Sequence, residues 1–113
     1  MKRLIRTTIV VRGKIPQGNW QNKSKTKDLK CSRCESWIRH WENCSGNDRP
    51  KVCSIKGCTN PVTDGSHVIN PEVRGVWIAP TCHQCNTDFE AVFELNKNVL
   101  LVNDNPEYSC KIQ

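Results

Sequence analysis

Apolar and polar positions along the first half of the chain predict one strand and one helix. Residues 4–11 are mostly β-branched or apolar, a pattern typical of a strand. In residues 35–43, Trp37 and Trp41 recur at helical spacing, and Gly46 follows shortly afterwards as a stop signal. We therefore expect a helix that buries both tryptophans on one face.

The second half of the chain predicts a hairpin, a helix and a last strand. Short β-rich runs at residues 66–69 and 75–79 are separated by Pro71, which ends the first of them. A longer apolar pattern predicts a helix over residues 82–95, and residues 99–102 predict a final strand. Together these elements predict a small α+β fold with short hairpins and two helices.

Residues 13–30 show no periodicity and are predicted to form an irregular loop. They contain Gly13, Pro16 and Gly18 together with several lysines. Trp20 lies within this stretch and is either an anchor that packs the loop down or a stacking surface for a base. Anchoring is the commoner role for a tryptophan in such a loop.

The composition limits how much stability a hydrophobic core can contribute to the fold. The chain has 113 residues, 36% of them hydrophobic, with two Phe and one Tyr but eight Cys. A chain of this length is expected to form one domain. Because its core material is sparse, metal cross-links are expected to contribute much of the stability.

Six of the cysteines form three close pairs, which indicates zinc. The pairs are Cys31/Cys34, Cys53/Cys58 and Cys82/Cys85. Two thiolates a few residues apart can both be aimed at one tetrahedral ion by a single turn of backbone. We therefore expect two structural Zn²⁺ ions.

The alternative for eight cysteines is a disulfide-bonded secreted domain. The first residues of the chain lack an uninterrupted apolar stretch and a cleavage site of an export signal. No stretch of the sequence is apolar enough to span a bilayer. Zinc in a reducing, cytoplasmic compartment is therefore favoured over disulfides.

The first predicted zinc site uses four cysteines in the order of a treble-clef zinc finger. That fold consists of a knuckle turn, a hairpin and a Cys-x-x-Cys pair at the start of a helix. Cys53 and Cys58 occupy the knuckle, where Gly57 permits the tight bend, and Cys82 and Cys85 open the predicted helix. We expect these four thiolates to bind one ion.

The residues leave two completions open for the second zinc site, which begins with Cys31 and Cys34. Counting cysteines favours Cys44 and Cys110 as the remaining ligands. The local spacing instead favours His40 and Cys44, one helical turn apart, and would leave Cys110 free. The all-cysteine set is slightly preferred.

The positive charge of the chain is concentrated at its N-terminal end. Residues 1–30 hold nine Lys/Arg and one acidic residue, whereas residues 31–113 hold eight Lys/Arg and ten acidic residues. We therefore divide the chain into a basic strand and loop (1–30) and a single two-zinc domain (31–113). The basic segment is expected to contact the phosphates of DNA or RNA.

Residues 53–89 resemble the zinc finger of HNH endonucleases. The match runs through Ser-His-Val-Ile-Asn-Pro at residues 66–71 and Trp-Ile-Ala-Pro-Thr-Cys-His-Gln-Cys-Asn at residues 77–86, within a finger spanning 53–95. The resemblance implies that His67 is the general base and that Asn86 binds a catalytic Mg²⁺ or Mn²⁺ ion.

The chain departs from the HNH pattern at the expected cation ligands. Ser66 stands where the family has an acidic residue, the hairpin asparagine is absent unless Asn70 replaces it, and Asp88 stands where a basic residue is common. A serine is a poor ligand for magnesium. Asp64, Asp88 or Glu90 could supply a carboxylate, although their spacing does not assign one.

These observations predict a zinc-stabilised, non-catalytic module that binds nucleic acid on an HNH-like scaffold. The first alternative is a small inhibitor or adaptor that docks on a nucleic-acid enzyme, with Trp20 or Trp77 as contact residues. The second alternative is a divalent-metal-dependent nuclease that uses His67 as its base. No membrane association is expected.

Overall fold

A computed structural model describes residues 15–23 and 36–104 of the chain. Within this part, the fold is a small α+β arrangement of one antiparallel sheet and two helices. In chain order the elements are β1 (Gln21–Asn22), α1 (Trp37–Ser45), β2 (Asp64–Asn70), β3 (Val73–Thr81), α2 (His83–Asn86) and β4 (Val102–Asn103).

The sheet is built around the β2–β3 hairpin. Its strand order is β1-β2-β3-β4, and all neighbouring strands are antiparallel. The Cα atom of Ser66 faces that of Ala79, and His67 faces Ile78 in the same register. The predicted hairpin is therefore confirmed, although both strands extend beyond the predicted limits.

The two faces of the sheet carry two separate apolar clusters, because side chains alternate along each strand. On one face, α1 packs against β3 and β4 through Ile38, Trp41, Cys44, Val62, Ile78 and Val102. On the other face lie Trp20, Val68, Ala79, Leu95 and Leu101. The sheet is thus covered by α1 on one side and by irregular chain on the other.

Helix α1 begins and ends at recognisable capping residues. The Ser36 hydroxyl accepts a hydrogen bond from the Arg39 N–H, which satisfies one of the first free amide groups. At the other end Gly46 adopts a left-handed conformation, with φ of 75°, and its N–H donates to the Glu42 carbonyl. The predicted helix is confirmed, but it spans Trp37–Ser45 and so begins and ends two residues later than predicted.

Residues 15–23 are firmly attached to the body of the fold. Trp20 is fully buried, its Nε1 donates to the Pro16 carbonyl, and its backbone exchanges two hydrogen bonds with Phe93. The prediction that Trp20 anchors its segment is confirmed. The irregular loop predicted for residues 13–30 is wrong at Gln21–Asn22, which form β1 and pair with β2. Part of the basic segment therefore belongs to the same sheet as the cysteine-bearing region.

The predicted helix over residues 82–95 is wrong beyond Asn86. The Thr87 hydroxyl donates to the His83 carbonyl and so closes the short α2 helix. Asp88 then accepts from the N–H groups of Glu90 and Ala91 in a turn that diverts the chain. The apolar residues that follow pair in extended conformation, Phe93 with Trp20 and Leu95 with Ile55.

The outcomes differ for the two remaining predicted strands, at residues 99–102 and 4–11. The last strand is present as the short β4, which lies slightly later than predicted, and Leu101 just before it is fully buried. The strand predicted at residues 4–11 lies outside the described residues. In the part of the chain that is described, no helix has the length and apolarity needed to cross a bilayer.

Gly65 is required by the close approach of α1 to β2, and its replacement provides a test of the packing. A Cβ atom at this position would lie 2.6 Å from the Trp37 carbonyl carbon and 2.7 Å from the Ile38 nitrogen. Since both are backbone atoms, Gly65→Ala should lower the free energy of unfolding by about 3 kcal/mol. Urea denaturation with saturating zinc measures this loss.

Gly18→Ala is the matched control for this substitution. Within the described residues, its Cβ would contact only the flexible Glu94 side chain, at 3.6 Å. The control should change stability by less than about 1 kcal/mol. Equal effects of the two substitutions would show that α1 does not press on Gly65 in solution.

Candidate metal centre

The first cysteine pair lies in a tight turn between α1 and β2. The Cys58 N–H donates to the Ile55 carbonyl at 3.0 Å, and Gly57 adopts a φ of 89° that favours glycine. The Cys53 N–H donates to the Asn60 carbonyl, which fastens the two ends of the turn together. The knuckle expected from the sequence is therefore present.

The second pair lies where β3 passes into α2. Cys82 is the N-terminal cap of α2, and its Sγ accepts from the Cys85 N–H at 3.4 Å. The Cys82 carbonyl also accepts from the Asn86 N–H, at 3.0 Å. These local bonds direct the Cys82 and Cys85 side chains towards the knuckle.

The two pairs meet at one point. The Sγ atoms of Cys53, Cys58, Cys82 and Cys85 all lie within 4.8 Å of one another. The Cys58 Sγ is 3.8 Å from that of Cys82 and 3.7 Å from that of Cys85. Zinc–sulfur bonds of about 2.3 Å in tetrahedral geometry place the sulfurs about 3.8 Å apart. The four residues therefore fit a metal ion such as zinc.

The surroundings of the cluster give its thiols different pKa values. Burial raises the pKa of Cys53 and of Cys85. Burial also acts to raise the pKa of Cys82, but hydrogen bonds from the Cys85 N–H, the Asn60 amide and the neighbouring thiols outweigh it and lower the pKa to about 7. Zinc would displace the remaining protons, so that all four sulfurs become thiolates.

A polar network adjoins the cluster on the same face of the sheet. The Asp64 carboxylate accepts from the Asn86 amide at 2.9 Å and contacts the His83 Nδ1 at 2.8 Å. Ser66 Oγ donates to the Asn86 Oδ1 and lies 2.6 Å from the Thr81 hydroxyl. Asn86 is thus held from both sides, by Asp64 and by Ser66.

His67 lies on the opposite face of the sheet from this network. Its ring packs edge-on against Trp37 of α1, with the ring centroids 4.5 Å apart. The side chain is buried, and its Nε2 makes no hydrogen bond with the described residues. Burial, followed by the nearby His40 and Lys23, lowers the pKa of His67 to about 4.

The structure therefore does not bring His67 and Asn86 together. Successive residues of β2 point to opposite faces, and Ser66 rather than His67 contacts Asn86. Among the described residues, no carboxylate forms a hydrogen bond or ion pair with the His67 ring. Asp88 caps the turn after α2, and the Asn70 amide donates to the Gly18 carbonyl.

The candidate residues for a second zinc site are only partly described. His40 and Cys44 are both buried on the sheet-facing side of α1, as the helical spacing predicts. The His40 Nε2 lies 2.8 Å from the Asn103 carbonyl oxygen, and burial lowers its pKa. Cys31, Cys34 and Cys110 lie outside the described residues, so the second site stays a prediction.

Two residues near the cluster escaped the sequence analysis. The Asn60 amide reaches the Cys82 Sγ at 3.6 Å, and the Asn22 amide donates to the carbonyls of Cys85 and Asp88. Asn60 follows the knuckle closely and could have been suspected as a donor to its sulfurs. Asn22 lies in a segment without periodicity, far from its partners along the chain, and no local pattern indicates its role.

No protein-family model, curated protein or solved structure matches this chain. Its functional interpretation therefore depends on the residues themselves.

Loss of one ligand should release one metal ion. Cys85→Ser should lower the zinc content of the purified protein by one ion per chain, as measured by inductively coupled plasma mass spectrometry. Retention of full zinc content would contradict the assignment of Cys85 as a ligand.

Cys44→Ala tests the predicted second site in the same assay. Because Cys44 belongs to both completions of that site, its loss should remove a different zinc ion and leave the first in place. An unchanged zinc content would eliminate Cys44 as a ligand.

The buried His67 should make stability fall in mild acid. Its folded pKa of about 4 lies below the ordinary value of 6.5, so the unfolded chain binds the proton more readily between these two values. This contribution is therefore complete above pH 6.5 and is lost as the pH falls towards 4. Between pH 7.5 and pH 5 the loss should be about 2 kcal/mol.

His67→Phe isolates this effect from acid release of the metal. The variant keeps an aromatic ring beside Trp37 but cannot bind a proton, whereas the metal cluster and His40 are unchanged. Between pH 7.5 and pH 5, the free energy of unfolding should fall by about 2 kcal/mol less in the variant than in the unchanged protein. Identical pH dependence would mean that His67 is not buried in its neutral form.

Proposed function

We propose that this chain is a zinc-stabilised nucleic-acid-binding module without catalytic activity. The observation that carries the proposal is the convergence of Cys53, Cys58, Cys82 and Cys85 within 4.8 Å. A site closed by four cysteines leaves no open coordination position, which is typical of structural rather than catalytic zinc. The ion would hold the knuckle and the end of the β2–β3 hairpin together.

We further propose that the cluster is a shortened treble-clef finger. The support is the order of its parts, namely a knuckle, a hairpin and a cysteine pair at a helix start. The helix α2 is only four residues long, so it cannot offer the extended recognition surface of a longer finger helix. Nucleic-acid contacts are therefore assigned to another part of the chain.

The Lys/Arg-rich N-terminal segment is the part suited to that contact. Residues 15–23 are fastened to the sheet, and basic residues flank them on both sides along the chain: Lys2, Arg3, Arg6, Arg12, Lys14, Lys25, Lys27 and Lys30. Residues 31–113 are nearly balanced in charge. A fixed attachment point between two basic stretches favours contacts with a phosphate backbone, which is recognised mainly through charge.

The geometry around His67 supports a non-catalytic role. A general base must reach the attacking water, yet His67 is buried against Trp37 and lies on the face of the sheet away from Asn86. The Asp64 carboxylate near Asn86 is already engaged by the Asn86 amide and by His83. Among the described residues, His67 is therefore not an accessible general base, and the carboxylate beside Asn86 is already hydrogen-bonded.

One observation favours a divalent-metal nuclease as the second candidate. Ser66 stands at the position before His67 where an acidic residue is expected, but Asp64 supplies a carboxylate beside Asn86. Nicking of plasmid DNA with Mg²⁺ or Mn²⁺ that is abolished by both His67→Ala and Asp64→Asn, with zinc content unchanged, would establish this candidate. We expect no nicking.

Binding of nucleic acid should be strongly salt-dependent. The logarithm of the association constant for duplex DNA should fall linearly with the logarithm of salt concentration, by about 0.9 for each phosphate contacted. Replacing the eight flanking Lys/Arg residues by Gln should flatten this slope while residues 15–23 stay attached. Fluorescence anisotropy with labelled DNA and RNA of one length measures both quantities.

The control replaces basic residues of the body, Lys51, Lys56 and Lys97, by Gln. These residues lie outside the N-terminal segment, so the slope should stay close to that of the unchanged protein. Binding that is absent, or that responds equally to both sets of substitutions, would contradict the proposal. Trp20, the other predicted contact residue of an adaptor, is fully buried and is not available for docking. Salt-independent capture of a protein that is lost on Trp77→Ala would instead support the adaptor alternative.

A further inference from the structure

Asn22 connects the N-terminal segment to the metal cluster. It lies in β1 opposite Val68 of β2, and its side chain is buried. Its Nδ2 donates to the Cys85 carbonyl at 2.7 Å and to the Asp88 carbonyl at 2.9 Å. One amide group from the N-terminal segment thus contacts the backbone of a candidate metal ligand directly.

These two hydrogen bonds act on a weakly supported part of the cluster. Cys85 belongs to a four-residue helix, which is too short to be stable by itself. The carbonyls of Cys85 and Asp88 lie on either side of Thr87, where the chain leaves that helix. Fixing both carbonyls fixes the backbone that sets the position of the Cys85 sulfur.

The unsatisfied oxygen of Asn22 indicates that these bonds have a specific role. Its Oδ1 is buried and has no hydrogen-bond partner among the described residues. Burial of an unpaired polar atom is unfavourable, and an apolar side chain would avoid it. The two hydrogen bonds that the Nδ2 makes offset this cost.

The same segment is attached to the rest of the fold at points that do not involve the cluster. Trp20 pairs with Phe93, the Asn70 amide donates to the Gly18 carbonyl, and the Lys23 N–H donates to the His67 carbonyl at 2.9 Å. Movement of Asn22 away from Cys85 would therefore require displacement of a strand that the sheet otherwise retains.

We propose that Asn22 is a positioning residue of the metal centre, and that metal binding is coupled to the attachment of residues 15–23. With the ion bound, Cys85 is held where Asn22 can reach it, and the strand stays on the sheet. With the ion removed, the loop after α2 loses its fixed position and the strand is attached less tightly.

Metal affinity tests the first half of the proposal. Loss of a residue that orients a metal ligand typically weakens binding by 10- to 100-fold. Asn22→Ala, and Asn22→Asp, which keeps the shape but cannot donate as a carboxylate, should both weaken zinc binding about 10-fold or more in competition with a chelator. Substituted Co²⁺ should show altered d–d absorption bands in both variants, because the geometry of one sulfur ligand changes.

Two controls separate positioning from general loosening of the segment. Gln21→Ala alters the neighbouring residue of β1. Gln21 lies opposite Ile69, and its side chain points to the other face of the sheet from Asn22. Asn70→Ala removes a bond to the same segment at Gly18, away from the metal. Zinc affinity and the Co²⁺ spectrum should be nearly unchanged in both controls. If Asn22→Ala behaves like Asn70→Ala, the positioning role is refuted.

Hydrogen exchange of the native protein tests the second half. Chelation of zinc should speed exchange of the Trp20 and Lys23 amides, which bond to Phe93 and His67. The effect should be larger than for the His40 amide in α1 and the Gly46 amide at its C-terminal cap. In Asn22→Ala this difference between the two groups should shrink. Exchange that is independent of zinc, or equally faster in both groups, would overturn the coupling.

This inference rests on metal binding by the four cysteines and is independent of any binding of nucleic acid. The affinity and exchange measurements contain no nucleic acid, so a failure of the proposed function leaves them interpretable.

Discussion

The convergence of four cysteine sulfurs is the constraint on which the rest of this structure depends. Like-charged thiolates would repel one another at separations below 4 Å, so a cation is needed to hold them in their ionised form. The cluster joins a turn from the middle of the chain to the end of the β2–β3 hairpin. Through Asn22, it also reaches the N-terminal strand. One ion would thereby stabilise three parts of a fold that has two modest apolar clusters.

The two faces of the sheet divide the molecule by chemistry. Helix α1 and the two buried histidines cover one face, where burial lowers the pKa of His67 and of His40. The metal cluster and the network of Asp64, Ser66 and Asn86 lie on the other. This division follows from the alternation of side chains along β2, which sends neighbouring residues in opposite directions. Ser66 and His67 are therefore adjacent in the sequence, but their side chains lie on opposite faces of the sheet.

The sequence predicted those features that are set locally. The periodicity of Trp37 and Trp41 located α1, and close spacing located the Cys53/Cys58 and Cys82/Cys85 pairs. Both could be predicted because a turn or a helix face is determined by nearby residues. The long second helix was predicted wrongly because the apolar spacing of Phe93 and Leu95 is compatible with either a helix or extended chain. Pairing of Phe93 with Trp20, a distant residue, decides in favour of the extended form. The role of Asn22 depends wholly on such distant partners, so no local pattern could reveal it.

The most direct test of the account is near-ultraviolet circular dichroism of the reduced protein during removal and return of zinc. Trp20 and Trp41 lie in the two apolar clusters and report whether each is packed. The account predicts that a chelator lowers the tryptophan signal, chiefly through Trp20, whose segment is linked to the metal cluster, and that added zinc restores it. A signal that is unchanged when all metal has been removed would show that the fold does not depend on the ion, and would contradict the central claim.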